Sequence, residues 1–279
     1  RGIIARAVHH LTDDTPEGHR IDVVYVCSNQ DIARQNLNRL NLTNEEEVAL
    51  PTRLTLLATQ VHQLNDNHLN FVSLTPGTSL ETMKSRGGRK KERVLLYRML
   101  QDQDRLSRGG LRNLLQNRVH RENWIRDLKR MDFRVDGSIE HDFLGALRSD
   151  QELWTELVET AKDFRWRTDR NRVPKDLNKR RLKVLAKMRR LLAGLSVDAL
   201  EPDLIILDEF QRFRDLLDGD TEAAHLTREL LNYQEESGHR ARVLLLSATP
   251  YRMLSLYDEE EDHYEDFLRT CRFLFDDSA

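Results

Sequence analysis

The stretch "PDLIILDEFQRF", residues 202–213, decides how the chain is read. Four apolar residues, Leu204 to Leu207, run into two adjacent acids, Asp208 and Glu209. An unbroken apolar run of strand length suits a strand covered on both faces, as in a parallel sheet. Its ending has two explanations. The acids are simply the solvated end of a strand, or the strand holds two carboxylates at a sheet edge where a metal and a phosphate can reach them.

Three other stretches have the same form: "RIDVVYVCSNQ" (20–30), "LNFVSLTPGTSL" (69–80) and "ARVLLLSATP" (241–250). Each is a short apolar run that stops on polar or turn-forming residues: Ser28-Asn29-Gln30, Thr75-Pro76-Gly77 and Ser247-Ala248-Thr249-Pro250. Helical periodicity fills the text around them, at "IIARAVHHL" (3–11), "DIARQNLNRL" (31–40), "PTRLTLLATQVHQL" (51–64), "TEAAHLTRELLNYQEE" (221–236) and "YEDFLRTCRFLF" (264–275). Strands alternating with helices predict an α/β fold with a parallel sheet covered by helices on both faces. Ligands of such sheets bind beyond the carboxyl ends of the strands, so all four polar clusters are expected on one edge. Asp208 and Ser247 lie 39 residues apart with one helical stretch between them, as two neighbouring parallel strands require.

From about 84 to 196 the alternation stops. "KERVLLYRMLQ", "LRNLLQNRV", "ENWIRDLKRM", "DQELWTELVETAKDFRW" and "LNKRRLKVLAKMRRLLAGL" all carry the helical period. The block is also basic. Residues 84–190 hold 30 Lys/Arg against 16 Asp/Glu, a net +14, while the rest of the chain carries −17, so the overall charge of −3 conceals the asymmetry. The expected organisation is a first α/β part over 1–83, a basic helical insertion over 84–196, and a second α/β part over 197–279. The basic runs "GRKKER" (88–93) and "NKRRLKVLAKMRR" (178–190) are candidate phosphate contacts, in particular Lys179, Arg180, Arg181, Lys183, Lys187, Arg189 and Arg190. Solvated helix faces with paired charges are the competing reading. Trp124, Trp154 and Trp166 fall in the same block, where base stacking is one role and burial in the core is the role their helical spacing favours.

At this point the sequence resembles the first RecA-like domain of superfamily 2 helicases and translocases. "LDEFQRF" is similar to the DExx-box motif II, "LLLSATPYR" to motif III, "VVYVCSNQDIARQNLNRL" to motif Ia, and "FVSLTPGTSL" contains the TPG of motif Ib. The order is the family's, and the likeness covers roughly residues 1–83 and 197–275. The resemblance implies a RecA-like fold and ATP and Mg²⁺ as cofactors. It implies that Asp208 holds Mg²⁺ and that Glu209 orients or deprotonates the attacking water. Gln211, in place of the His or Asp of related motifs, would relay the phosphate state to Ser247, Ala248 and Thr249. Ser28, Asn29, Gln30, Thr75, Pro76 and Gly77 would touch the sugar-phosphate backbone of nucleic acid. Phosphoryl transfer needs charge neutralisation and a positioned nucleophile, which two rigidly held carboxylates can serve.

One family motif is missing. No G-x-x-x-x-G-K-[ST] phosphate loop occurs in the sequence. In the family that loop precedes a helix similar to "IIARAVHHL", so it is expected just ahead of Arg1, and a second RecA-like lobe beyond Ala279. The expectation is a motor-lobe fragment, inactive alone, of a bacterial ATP-dependent helicase or translocase resembling Snf2-like or DEAD/DEAH-type proteins. DNA is favoured over RNA as partner, and subunits of a defence or restriction system are further candidate partners. The alternative is a non-catalytic nucleic-acid or protein interaction module on a degenerate RecA-like fold, to which two intact carboxylates would be superfluous.

Composition narrows the classes. Apolar residues make up 39% and charged residues 33% of 279, and no apolar run approaches the roughly 18 residues of a membrane span. The two cysteines, Cys27 and Cys271, have no metal-ligand spacing and suit a reducing cytoplasm. His9, His10 and His263 lack metal-like companions, and the acidic run at 258–266 suits a solvated loop.

Overall fold

The computed structural model describes residues 2–14, 18–29, 35–36, 53–75, 79, 86–131, 134–167, 169, 172–209, 221–234 and 238–246. Four strands form one sheet: β1 (Ile21–Val26), β2 (Leu69–Leu74), β3 (Leu204–Asp208) and β4 (Arg242–Leu246). The order is β2-β1-β3-β4 and every pairing is parallel. Ile21 faces Leu69, Val23 faces Leu204, and Leu204 faces Arg242 across the ladders. β1 is buried along its whole length and Leu204–Leu207 of β3 equally, which is why both are continuous Val/Ile/Leu runs rather than alternating ones. The chain is thus α/β with a four-stranded all-parallel sheet flanked by helices, consistent with a RecA-like fold.

Each sheet face has its own cover. Helix α1 (Gly2–Asp14) lays Ile4, Val8 and Leu11 on the face formed by Ile21, Val23, Tyr25, Phe71, Leu204 and Ile206. The opposite face, with Val24, Val26, Val72, Leu74, Ile205 and Leu207, merges into a much larger core. That core receives a 3-10 helix (Leu54–Thr59) and α2 (Val61–Asn65). It also receives α3 (Lys90–Leu100), α4 (Arg108–Gln116), α5 (Arg121–Arg130), α6 (Gly137–Ser149), α7 (Gln151–Asp163), α8 (Lys175–Asp198) and α9 (Glu222–Leu231). The helices α3 to α8 therefore share one apolar core with the sheet. Among the described residues no helix is long and apolar enough to cross a membrane.

Local chemistry sets the helix ends. The side chains of Ser107, Asp136, Asp150 and Thr221 accept hydrogen bonds from backbone N–H groups at the starts of α4, α6, α7 and α9, each worth about 1 kcal/mol. Helix α6 is absent from the periodic stretches expected from sequence, because Asp136-Gly137-Ser138 reads as a turn. Its Ile139, Phe143 and Leu147, four residues apart, are nevertheless all buried. The expected single helix over 51–64 is instead a 3-10 turn and a short α-helix, broken at Gln60 (φ −136°). Gly110 lets α4 touch α7, since a Cβ there would lie 1.9 Å from the Ala161 carbonyl oxygen.

Two buried polar centres pin the layers. Glu92, at the start of α3, accepts from Thr55 Oγ1 at 2.7 Å, from Arg53 at 3.2 Å, from Arg189 Nε of α8 at 3.0 Å and from the Arg89 backbone N–H at 2.5 Å. Burial alone would push its carboxyl up, but Arg189, the Arg89 N–H, Thr55 and Arg53 together hold it below the usual range. At the amino edge of the sheet, Asp22 of β1 accepts from Arg20 Nε (2.7 Å) and Asn70 Nδ2 (2.8 Å). Its backbone N–H donates to Asp203 Oδ2 at 2.8 Å. Burial pushes this carboxyl up to about 7 despite Arg20.

The two acids act in opposite directions with pH. Glu92 is depressed when folded, so its stabilisation is complete above the unfolded value of about 4.3 and lost as pH falls through the folded one. Asp22 is raised, so the folded state holds a proton that the unfolded chain has released, and its contribution declines between about pH 4 and 7. Urea unfolding should show stability rising from pH 8 towards about 5 and falling below about 4. Asp22→Asn flattens the upper limb and Glu92→Gln the lower. Glu92→Ala, which removes the carboxylate that buried Arg189 faces, should cost about 3–5 kcal/mol at pH 7. An unchanged profile in either variant would reject the assignment.

Candidate functional site

Parallel pairing places the carboxyl ends of all four strands along one edge. Ser28 and Asn29 follow β1 and are exposed, and Thr75 follows β2 and is buried. Asp208 closes β3, between the ends of β1 and β4. The structure thus brings together the described members of the expected set: Ser28, Asn29, Thr75, Asp208 and Glu209. Gln30, Pro76, Gly77, Gln211, Ser247, Ala248 and Thr249 lie outside the described residues, as do the helices expected over 31–40 (apart from 35–36) and 264–275.

The loops at this edge are tied to their own backbone. Cys27 is buried with its thiol against the Asn29 carbonyl oxygen at 2.8 Å. Thr75 N–H donates to Ser79 Oγ at 3.0 Å, and Ser79 N–H donates to the Thr75 carbonyl at 2.7 Å.

Asp208 is held by partners the sequence did not announce. Tyr25, on the same sheet face, donates its hydroxyl to Asp208 Oδ2 in a short bond. Asn36 Nδ2 donates to the Tyr25 oxygen at 2.9 Å and to Asp208 Oδ2 at 3.4 Å. Burial and then the Asp208 bond push the Tyr25 phenol's pKa upward, so it remains a donor. These bonds fall on Oδ2, which leaves Oδ1 for a further ligand. The available signal was a tyrosine inside a Val/Ile run, whose hydroxyl needs a partner when its ring is buried.

Glu209 sits in the left-handed region, at φ 56°. For a non-glycine residue that conformation costs roughly 1–2 kcal/mol, and such residues gather at functional sites.

Asp208 suits a Mg²⁺ ion held jointly with a ligand. Among the described residues no group of three or more His, Cys, Asp or Glu could hold a metal on its own. Mg²⁺ needs no such cage: it is bound through one or two carboxylates, with phosphates and water completing the shell. A half-buried, braced carboxylate with one oxygen open fits that mode.

The basic helix α8 is arranged differently from an open phosphate-binding face. Arg189 is 1% exposed and paired with Glu92, and Arg181 is 3% exposed. Both are therefore removed from the expected surface contacts, because burial keeps their guanidinium groups from solvent. Lys187 pairs with Glu152 at 2.9 Å and Glu156 at 3.4 Å, Lys183 with Glu156 at 3.4 Å, and Arg180 with Asp163. All three acids belong to α7, so the cationic run is largely a ladder between two helices. Lys179 and Arg190 are exposed. The tryptophans divide. Trp124 is fully buried and donates Nε1–H to the Arg112 carbonyl at 2.9 Å, Trp154 is half-buried, and Trp166 is exposed.

Comparison with family models, with curated proteins and with solved structures finds no match to this chain.

Glu209→Gly removes a side chain from a left-handed position that glycine adopts freely. Chemical denaturation should show the variant at least as stable as the parent, by up to about 1 kcal/mol. A loss of more than about 1 kcal/mol would mean that the carboxylate itself holds the turn together.

Proposed function

We propose that this chain is the first motor lobe of an ATP-dependent translocase or helicase acting on nucleic acid, DNA rather than RNA. The observation that carries the reading is the end of β3. Adjacent carboxylates stand at the carboxyl edge of an all-parallel sheet, the first braced by Tyr25 and Asn36, the second on a left-handed residue. Sheets of this class bind ligands at that edge, and strained, braced acids suit a reaction site better than a solvated strand end.

In this reading Asp208 would hold the Mg²⁺ that accompanies ATP. When bound, that ion offsets negative charge on the phosphates. Glu209 lies one residue further on and orients the attacking water, accepting its proton. Tyr25 and Asn36 act through Asp208 as positioning residues, fixing the carboxylate plane so that little reorganisation is needed at the moment of reaction. Ser28 and Asn29 are exposed along the same edge, where hydroxyl, amide and backbone groups can meet a sugar-phosphate backbone without reading its sequence, whereas Thr75 is buried there. In this reading a phosphate cradle and a second lobe would complete the site. The half-exposed apolar residues Val243–Leu246 of β4 leave room for a further strand beside it. Partners in this reading are DNA, the second lobe and, by resemblance alone, other subunits of a defence or restriction system.

The test uses the full-length polypeptide carrying these residues. It should hydrolyse ATP faster with DNA present, and Glu209→Gln should lower kcat by 100-fold or more while ATP still binds, on the order expected for removing a general base. Turnover that survives this substitution would remove Glu209 from the mechanism. ATP hydrolysis absent from the full-length protein would favour the interaction module. Tyr25→Phe, which keeps the ring and removes the bond to Asp208, should raise the Mg²⁺ concentration at half-maximal rate by roughly tenfold, with a smaller change in kcat. Equal Mg²⁺ dependence in parent and variant would reduce Tyr25 to a packing residue.

A further inference from the structure

Trp166 is 81% exposed and, with Ile3, one of two exposed large hydrophobic side chains among the described residues. It is not at a loose end. It follows the last turn of α7, next to Phe164, which is fully buried. Asn113 of α4 donates its side-chain N–H to the backbone carbonyls of Phe164 (3.0 Å) and Arg165 (3.2 Å). The backbone that presents the indole is therefore clamped to a neighbouring helix. The Arg165 guanidinium lies over the indole, 5.0 Å from its centroid, and Arg165 and Arg167 are both exposed.

Behind this corner lies a buried cation. Arg181 of α8 lies over the Phe164 ring at 5.2 Å and is 3% exposed. It donates to Asn178 Oδ1, and its Nε has no hydrogen-bond partner among the described residues. Burial, then the neighbouring cations Arg93 and Arg118, depress it to about 10. Arg93 donates to the carbonyls of Leu115, Gly87 and Gly88. A buried cation is poorly screened, so its field reaches the surface above it.

We propose that this corner of the helical block, formed by Trp166, Arg165 and Arg167 over the buried Arg181, binds single-stranded nucleic acid. A base stacks on the Trp166 indole and the arginines receive the flanking phosphates. The inference rests on the motor reading for the identity of the polymer, and it adds a contact remote in sequence from the sheet edge. Single-strand binding combines an aromatic platform with a cationic track. A protein hot spot or a membrane wedge needs contiguous apolar area, whereas here a single ring stands among arginines. Of the α8 cations, Arg180, Lys183 and Lys187 are engaged by α7 and Arg181 and Arg189 are buried, so no continuous cationic face runs along α8 and the contact falls at the α7–α8 corner.

The test is fluorescence anisotropy of a labelled oligothymidylate of about 16 nucleotides, titrated with the full-length protein without nucleotide across a salt series. Trp166→Ala should weaken binding by roughly 5- to 150-fold, the range of base–aromatic stacking, with little change in the salt slope. Trp166→Phe should recover most of it. The pair Arg165→Gln and Arg167→Gln should reduce the salt slope by about 1–2. Because Trp166 is exposed, the thermal midpoints of all variants should match the parent's, which separates lost contact from lost fold. Parent affinity in Trp166→Ala overturns the proposal. So does an equal loss on a blunt duplex, where bases are not open to stacking. Loss of binding in Trp166→Ala together with absent ATPase activity in the parent would keep this surface and reject the motor.

Discussion

Glu92 is the residue on which the arrangement of the chain turns. It stands at the head of α3, and its two oxygens accept from Arg53 and Thr55 at the start of the 3-10 helix, from the long helix α8 and from its own helix cap. Those donors are 97 residues from Glu92 on one side and 39 on the other. A buried pair of this kind adds little net energy over a well-packed apolar core, but losing one partner is costly. Its role is to fix register. Only one placement of α8 against α3 satisfies Arg189, whose guanidinium also occupies the space that a Cβ on Gly88 would need. With α8 fixed, α7 follows through its acidic ladder, and β3 follows α8 directly in the chain.

That chain of constraints ends at Asp208. The strand enters the sheet from the end of α8 and is pinned at its beginning by Asp203, which bonds to the backbone N–H of Asp22. It is pinned at its end by Tyr25 and Asn36. A five-residue strand fixed at both ends holds its terminal carboxylate far more accurately than a loop would. The helical block therefore serves the site as a frame, and its one stacked, exposed aromatic corner faces outward from that frame.

Much of this was legible in the sequence and some was not. The four strands were, because a strand covered on both faces must be a continuous apolar run, and each run stops on residues that cannot continue it. The adjacency of β3 and β4 followed from the one helical stretch expected between them. Helix α6 was hidden because a capping Asp followed by Gly and Ser has the composition of a turn, and only the spacing of Ile139, Phe143 and Leu147 betrays it. The fate of the α8 cations was not legible, since their partners Glu152, Glu156 and Asp163 lie a helix away and only packing brings them opposite. Nor was the split among the tryptophans: the text around Trp124 and Trp166 is equally basic, and tertiary packing alone buries one and exposes the other. Tyr25 was visible only as a polar handle without a named partner.

The sheet's connectivity has a consequence for how the molecule assembles itself in time. β1 and β2 are separated by about forty residues, but the β1–β3 ladder joins positions 181 apart. Closing so long a loop with an open chain is entropically expensive and slow. Once the intervening helices have condensed on one another, the same closure spans only the distance between the ends of a compact body. Topology then favours an order: local helix pairs first, β1 with β2 alongside, and β3 with β4 last. In that order the pair of strands that carries Asp208 completes the sheet, so Asp208 meets Tyr25 only in a chain whose interior is already built.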